Sequence, residues 1–98
     1  MLSRIAESLF WIGRYLERAD GTARLLDVHL QLLLEDPWVE EDIACRALLS
    51  VMGSSAPDDR ELSRVDLLEI LGVERDNTTS IAFSLDQARE NARRAREV

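Results

Sequence analysis

The chain has 98 residues, which fits one small domain, and 46% of them are apolar, which excludes an intrinsically disordered segment. Nineteen acidic residues against twelve basic ones give a net charge of −7, and a field of that sign disfavours nucleic acid and anionic membranes as partners. No apolar run reaches the length of a membrane span, and the N-terminus does not look like a signal peptide. The single cysteine, Cys45, cannot form an internal disulfide, so the cytoplasm is the expected compartment.

The first predicted helix runs from about Ser3 to about Glu35. Its apolar residues alternate in steps of four and three, which is the spacing of a seam between packed helices. The predicted seam consists of Ile5, Leu9, Ile12, Leu16, Ala19, Ala23, Leu26, Leu30 and Leu33. At about 1.5 Å per residue this helix is roughly 48 Å long, which is long for so small a domain.

A second stripe on the same helix lies beside or opposite the seam. It consists of Phe10, Trp11, Arg14, Glu17, Arg18, Gly21, Arg24 and Leu25. Gly13 and Gly21 lie one turn on either side of Glu17, and each glycine costs about 1 kcal/mol in a helix interior. Two interpretations stay open. Either the glycines leave room around the Glu17 carboxylate, or they only admit close helix packing while Glu17 and Arg18 are solvated.

Two shorter helices are predicted next. The second helix covers about residues 37–52, because Asp36 and Pro37 form a helix start and Trp38 can anchor the corner. Its predicted buried stripe is Val39, Ile43, Ala47 and Val51. The third helix follows a capping box formed by Asp58 and Glu61, and it ends at Gly72. Its predicted buried residues are Leu62, Val65, Leu68 and Leu71.

The last predicted helix begins near Asn77 or Thr78 and repeats the spacing of the first. Its apolar positions are Ile81, Leu85, Ala88, Ala92 and Ala95. Two long helices of matched period predict an all-α fold, a bundle of about four helices in which the long first helix packs against the last. The alanines on both helices would let their axes approach closely.

Arginines cluster in the last helix, at positions 89, 93, 94 and 96. One interpretation pairs them with Glu7, Glu17 or Asp20 of the first helix in an interhelical network. A second is an anion site, because planar guanidinium groups bind carboxylate or phosphate with two hydrogen bonds. A third is a solvated surface near a helix C-terminus. If Glu17 lies in a buried pair, its replacement by alanine should destabilise the fold by about 3–5 kcal/mol.

No metal or cofactor site is expected. His29 has neither a second histidine nor a glutamate at metal-binding spacing, and Cys45 has no histidine nearby in sequence. The sequence also lacks a glycine-rich phosphate loop and a Ser-His-Asp set.

Two separated blocks resemble a known family. The segment from Met1 to Asp20, which contains the pair Glu17-Arg18, resembles the start of the alpha-E domain family, named for its helices and its Glu-Arg motif. The segment from Ser80 to Arg93 resembles the ARENAR-like helix of that family. The motif residues that become functional candidates are Arg14, Glu17, Arg18, Arg89, Glu90, Asn91 and Arg93. Because family members are usually much longer, the resemblance implies that residues 1–98 are a single helical domain, the N-terminal part of a longer alpha-E domain.

The resemblance also implies a partner class. Alpha-E proteins are encoded beside, or fused to, ATP-grasp and transglutaminase-like proteins, which implies a role in a peptide-ligating or peptide-modifying system. The favoured interpretation is a non-catalytic helical interaction module. Two alternatives stay open: an enzyme component in which Glu17 and the Arg89/Arg93 cluster form an anion or peptide site, and a structural homo-oligomer paired through the second stripe.

Overall fold

The computed structural model describes residues 2–97, which form helices joined by turns. Helix α1 spans Leu2–Glu35, α2 spans Glu41–Val51, α3 spans Arg64–Leu67 and continues as a π-helical segment over Leu68–Val73, and α4 spans Ile81–Arg96. No strand occurs within residues 2–97. The predicted all-α fold, with a long first helix packed against the last, is confirmed.

Helix α1 sets the longest dimension of the molecule. It continues for 34 residues, which corresponds to about 50 Å at 1.5 Å per residue. The molecule measures 56 × 26 × 17 Å along its principal axes. The predicted end of this helix at Glu35 is confirmed, because Asp36 and Pro37 lie in the turn that follows.

Helix α4 packs antiparallel to α1. Near one end of the pair, the Thr22 hydroxyl donates to the Thr79 carbonyl oxygen at 3.4 Å. Further along, the rings of Tyr15 and Phe83 meet edge to face, with 6.5 Å between their centroids. Residue numbers therefore increase along α1 in the direction in which they decrease along α4.

The contact line on α1 differs from the predicted seam at three positions, Leu9, Leu16 and Ala23, which are exposed. The buried or partly buried residues are Ile5, Ser8, Ile12, Tyr15, Ala19, Thr22, Leu26, His29, Leu30 and Leu33. Leu9 and Leu16, which were predicted to lie in the seam, are 59% and 48% exposed. The prediction is therefore right at Ile5, Ile12, Ala19, Leu26, Leu30 and Leu33, and it is displaced by one residue at Leu9, Leu16 and Ala23.

The same displacement occurs on α4. Ser84, Ala88 and Asn91 are buried there, whereas Leu85 is 48% exposed. The pattern of apolar residues favoured Leu85 and Ala92, but the small and polar residues one position earlier face α1. Small side chains let two helix axes approach closely, which leucines at these positions would prevent.

The main hydrophobic core lies toward the other end of the molecule. Its buried residues are Leu26, Cys45, Leu48, Leu49, Leu62, Leu67, Ile70 and Leu71. Leu30 and Leu33 of α1 and Ile81 of α4 pack against this cluster. The second half of α1 and the start of α4 are thus covered by α2, α3 and the π-helical segment.

Helix α2 is shorter than predicted and turns a different side inward. It begins at Glu41, because the Asp36 carboxylate accepts from the Trp38 backbone N–H at 3.0 Å and closes a turn instead of capping a helix. Trp38 is 92% exposed, so its predicted anchoring role is wrong. The predicted stripe is wrong as well: Val39, Ile43, Ala47 and Val51 are exposed, and Cys45, Leu48 and Leu49 are buried instead.

Helix α3 begins later than predicted. Its N-cap is Ser63, whose backbone N–H and hydroxyl both donate to the Asp66 carboxylate, at 2.8 and 3.1 Å. The predicted capping box of Asp58 and Glu61 is therefore wrong. The π-helical segment adds a residue to the turn. Leu62 and Leu71 are buried as predicted, whereas Val65 and Leu68 are exposed and Leu67 and Ile70 are buried instead.

Helix α4 also begins later than predicted. Its N-cap is Ser80, whose hydroxyl oxygen accepts from the Phe83 backbone N–H at 3.0 Å. Asn77, predicted to start the helix, instead fixes the preceding turn: its side-chain amide donates to the Ile70 carbonyl oxygen at 2.8 Å. This bond joins the turn to the π-helical segment.

Two carboxylates should make the stability of the fold fall in acid. The backbone N–H of Leu62 lowers the pKa of Asp42, and the backbone N–H of Ser63 lowers the pKa of Asp66, with arginine partners adding to both effects. A carboxyl group with a lowered folded-state pKa contributes stability above its unfolded pKa of about 4, and this contribution is lost as the pH falls through the folded value. The melting temperature of the chain should therefore fall below about pH 4.

Thermal melts followed by circular dichroism at neutral pH and at pH 3 test this expectation. Asp66→Asn should lower the melting temperature at neutral pH, and its deficit relative to the native chain should shrink at pH 3. Asp27→Asn removes the same charge from an exposed position on α1 and serves as the control. An equal effect of both variants at neutral pH would contradict the expectation.

Cys45 should be unreactive in the folded chain. Its side chain is fully buried, and burial raises the pKa of the thiol to about 11, with Glu41, Asp42 and Asp66 adding to the effect. At pH 8 both access and thiolate formation are therefore suppressed. Iodoacetamide labelling followed by mass spectrometry should show slow modification of the native chain and rapid modification in denaturant. Rapid labelling without denaturant would contradict the buried position.

Candidate functional site

A polar cleft lies between the first half of α1 and the second half of α4. Its lining residues are Arg4, Glu7, Ser8, Trp11, Tyr15, Gln87, Asn91 and Arg94. Its volume is about 450 Å³, which is within the range of small-molecule sites in proteins. The cleft is formed where the main core no longer covers the two helices.

Helical periodicity explains why these residues meet. On α1 each lining residue lies three or four positions from another, although Glu7 and Ser8 are adjacent. Gln87, Asn91 and Arg94 on α4 are spaced in the same way, and such residues share one side of a helix. The antiparallel register set by Tyr15 and Phe83 brings the start of α1 beside the end of α4. The cleft therefore depends on the pairing of residues far apart in sequence.

Two buried polar residues form the bottom of the cleft. Asn91 is 7% exposed and Ser8 is 9% exposed. The Asn91 side-chain N–H donates to the Gln87 carbonyl oxygen at 2.8 Å. Within residues 2–97, no enclosed side-chain nitrogen or oxygen lacks a hydrogen-bond partner.

Aromatic rings form one side of the cleft. The centroids of Trp11 and Tyr15 are 6.0 Å apart, and Phe10 meets Trp11 edge to face at 5.2 Å. Trp11 remains 42% exposed, so part of its ring is open to a ligand. Flat apolar surface of this kind stacks on aromatic or amide planes.

The cleft carries two arginines and one acid, Arg4, Arg94 and Glu7. The Arg94 side chain is 63% exposed, and its Nε lies 3.9 Å from a Glu90 carboxylate oxygen. Glu90 contacts Arg93 more closely. The guanidinium group of Arg94 is thus only weakly engaged by the chain itself.

Glu17, the first residue of the Glu-Arg pair, lies outside this cleft. Its side chain is 75% exposed, and its partner is Arg14 one turn earlier, at 3.6 Å. On an α-helix, Glu17 points away from the side that carries Ser8, Ala19 and Thr22. Arg14 and Glu17 therefore form a surface pair on the side of α1 that α4 does not touch.

Arg18, the second residue of the pair, contacts the chain. Its guanidinium donates to the Thr78 carbonyl oxygen at 3.3 Å and lies 5.9 Å from the centroid of the Tyr15 ring. Arg18 therefore links α1 to the turn that leads into α4.

The two glycines beside Glu17 are not required by packing within the described chain. A Cβ atom built on Gly13 or on Gly21 would meet no heavy atom within 4 Å. Close packing against another part of residues 2–97 therefore does not account for them. Glu17 and Arg18 are exposed, as the second of the two sequence interpretations expected, but the close helix packing that it assigned to the glycines is not found within residues 2–97.

The remaining motif residues form contacts within α4. Arg93 pairs with Glu90 and, at 2.9 Å, with Glu97. The hydrogen bond from Arg93 lowers the pKa of Glu90, and Glu90 raises the pKa of Arg93. Arg89 and Arg93 line a shallow depression on this helix alone, together with Ala92 and Arg96.

The interhelical network predicted from the sequence is wrong. Within residues 2–97, no ion pair joins Glu7, Glu17 or Asp20 to an arginine of α4. Two reasons account for this. Glu17 lies on the side of α1 opposite the contact with α4, and Arg93 forms ion pairs with acids on its own helix. Of the candidate residues, Asn91 alone lines the cleft.

Several lining residues were not singled out as site candidates, including Arg4, Ser8, Tyr15 and Gln87. A signal for two of them was present: Ser8, Tyr15 and Thr22 repeat every seven residues, as the seam does. Polar residues that recur every seven positions can indicate a helix contact, just as apolar residues with this spacing do.

Within the described residues 2–97, His29 contacts the backbone of α2. The His29 ring Nε2 donates to the Ala44 carbonyl oxygen at 2.8 Å, which ties α1 to α2. In the part of the chain that the structure describes, no three His, Cys, Asp or Glu side chains are grouped to hold a metal ion. No helix there combines the length and apolar character needed to cross a bilayer.

The two residues of the Glu-Arg pair should contribute differently to stability. Glu17→Ala should change the free energy of unfolding by less than about 1 kcal/mol, because the side chain is exposed and its ion pair is on the surface. Arg18→Ala should cost about 1 kcal/mol, because it removes the bond to Thr78. Urea denaturation measures both values, with Arg24→Ala on the same helix as the control. A loss of several kcal/mol for Glu17→Ala would show that the carboxylate is buried.

The comparisons with known proteins add one finding. The model of the Alpha-E family, described as a predicted alpha-helical domain with a conserved ER motif, matches residues 1–98. Comparisons with curated proteins and with solved structures gave no match. Because the family model covers the whole chain, and the chain has the helices and the Glu-Arg pair of the description, this protein belongs to the Alpha-E family.

Proposed function

We propose that this chain is a non-catalytic helical interaction module, and that a row of exposed leucines on α1 and α4 binds a protein partner. The row consists of Leu9, Leu16 and Leu85, which we call the leucine row. The observation that carries the proposal is the composition of the α1–α4 contact. Because small and polar residues occupy it, these three leucines lie outside, each about half exposed.

The three leucines lie on one side of the helix pair. Each follows an inward-facing residue by one position: Ser8, Tyr15 and Ser84. One residue corresponds to a rotation of about 100° around a helix axis. Since α1 and α4 are antiparallel, equal rotations from their contact line turn both helices toward the same side. The leucine row is therefore one surface with contributions from both helices.

Exposure of these leucine side chains to water is unfavourable. Burying a leucine side chain contributes about 1.5–3 kcal/mol, and contiguous exposed apolar patches in proteins often mark binding sites. The row lies on the opposite flank from the cleft that contains Trp11 and Arg94, because those residues are rotated from the contact line in the other sense. It is thus a separate surface.

The partner class comes from the family resemblance. Association of Alpha-E proteins with ATP-grasp and transglutaminase-like proteins supports an enzyme of one of these two kinds as the partner, in a peptide-ligating or peptide-modifying system. The exposed position of Glu17, apart from Arg89 and Arg93, supports a binding role over a catalytic one. The cytoplasm stays the predicted compartment.

Binding of the purified chain to the ATP-grasp and transglutaminase-like proteins of the same organism tests the proposal. Isothermal titration calorimetry should show binding to one of them. The double variant Leu9→Gln/Leu16→Gln should weaken that binding more than tenfold, because two buried leucines contribute more than about 1.4 kcal/mol. Val51→Gln/Val73→Gln is the matched control, since both valines are exposed elsewhere on the chain.

Three results would overturn the proposal. If neither enzyme binds, the partner class is wrong. If the leucine variant binds as tightly as the valine control, the surface is wrong. If sedimentation equilibrium shows a dimer that the leucine variant abolishes, the row binds a second copy of the chain, and the homo-oligomer alternative is correct.

A further inference from the structure

We infer that the polar cleft between α1 and α4 binds a free α-carboxylate carried next to an aromatic side chain, as in an aromatic amino acid or a peptide that ends in one. The inference is independent of the leucine row, which lies on the other flank of the helix pair.

The bottom of the cleft provides two polar side chains. Ser8 and Asn91 are both more than nine-tenths buried. The Asn91 side-chain N–H donates to the Gln87 carbonyl oxygen, and no enclosed side-chain nitrogen or oxygen within residues 2–97 lacks a hydrogen-bond partner. Because Ser8 and Asn91 both line the cleft, a hydroxyl and an amide group are available there to contact a bound molecule.

The charges in the cleft select a carboxylate. The chain carries a net charge of −7, yet Arg4 and Arg94 outnumber the one acid here, Glu7. A planar guanidinium group matches the two oxygens of a carboxylate. The Nε of Arg94 lies 3.9 Å from a Glu90 carboxylate oxygen, and the Arg94 side chain is 63% exposed, so a ligand can reach its guanidinium group. The single excess positive charge fits a singly charged carboxylate better than a doubly charged phosphate.

The other lining groups select what accompanies the carboxylate. The Glu7 carboxylate can accept a hydrogen bond from an ammonium group or a peptide N–H, as the side-chain oxygen of Asn91 can. The partly exposed Trp11 ring, with Tyr15 beside it, provides a flat surface on which an aromatic side chain can stack. A volume of about 450 Å³ limits the bound part to roughly an amino acid or a dipeptide.

Fluorescence of Trp11 provides the measurement. The chain has two tryptophans, and the other, Trp38, is 92% exposed on a turn, so Trp38→Phe leaves Trp11 as the only reporter. This variant is titrated with N-acetyl-phenylalanine and, in parallel, with N-acetyl-phenylalaninamide, which lacks only the carboxylate charge. The acid should change the fluorescence saturably, and the amide should bind at least about tenfold more weakly.

Arginine variants in the same background locate the contact. Arg94→Ala and Arg4→Ala should each weaken binding of the acid by about tenfold. Arg89→Ala is the matched control, because it removes the same side chain from the same helix outside the cleft. Circular dichroism verifies that each variant keeps its helices. Free phenylalanine and alanyl-phenylalanine then distinguish an amino acid from a peptide terminus as the source of the carboxylate.

Four results would overturn the inference: no saturable change with any carboxylate, equal binding of acid and amide, an equal loss in Arg89→Ala, or tighter binding of inorganic phosphate than of the acid. The leucine variant Leu9→Gln/Leu16→Gln should bind N-acetyl-phenylalanine as the parent does. Failure at the cleft can therefore be told apart from failure at the leucine row.

Discussion

The polar contact between α1 and α4 is the constraint on which the rest of the structure depends. Ser8, Thr22, Ser84 and Asn91 occupy positions where a helix bundle usually has leucine or isoleucine. Because the inward position is taken by a small or polar residue, the leucine that follows it in sequence is turned outward. The same arrangement places Ser8 and Asn91 at the bottom of the cleft. One choice of residues thus produces both an apolar surface and a polar cavity.

This choice distributes stability unevenly along the molecule. Leucine burial contributes about 1.5–3 kcal/mol per side chain, and the buried leucines cluster around Leu26 at one end. The other end, where Ser8 meets Asn91, has little apolar area to bury. Local stability follows the density of buried apolar contacts, so the start of α1 and the end of α4 form the less stable half. Both surfaces proposed for binding lie in that half, where a bound molecule would contribute most to its order.

The sequence predicted the helices better than it predicted their rotation. The four-three repeat and the break at Asp36-Pro37 were enough for α1, and Ile5, Ile12 and Ala19 were placed correctly. Leu9 and Leu85 were placed incorrectly. Their hydrophobicity favours burial, but it does not show how much space the neighbouring helix leaves for a side chain. Helices α3 and α4 begin later than predicted for a local reason. Their N-caps are Ser63 and Ser80, not the earlier residues Asp58 and Asn77. For the site, Asn91 was found through the family resemblance, whereas Arg4 and Gln87 required the antiparallel register.

The Glu-Arg pair separates into two roles once the contacts are known. Arg18 holds the Thr78 carbonyl, and a second Glu-Arg pair acts on the same turn: Arg75 binds Asp86, and the Glu74 carbonyl accepts from Ser80. These bonds hold the turn that leads into α4, and Arg18 links that turn to α1. Glu17 has no such role within residues 2–97. Its neighbours Gly13 and Gly21 each weaken the helix by about 1 kcal/mol without a packing contact in return. Within residues 2–97, Arg18 therefore has a role in the fold, whereas Glu17 makes a surface ion pair with Arg14 one turn earlier.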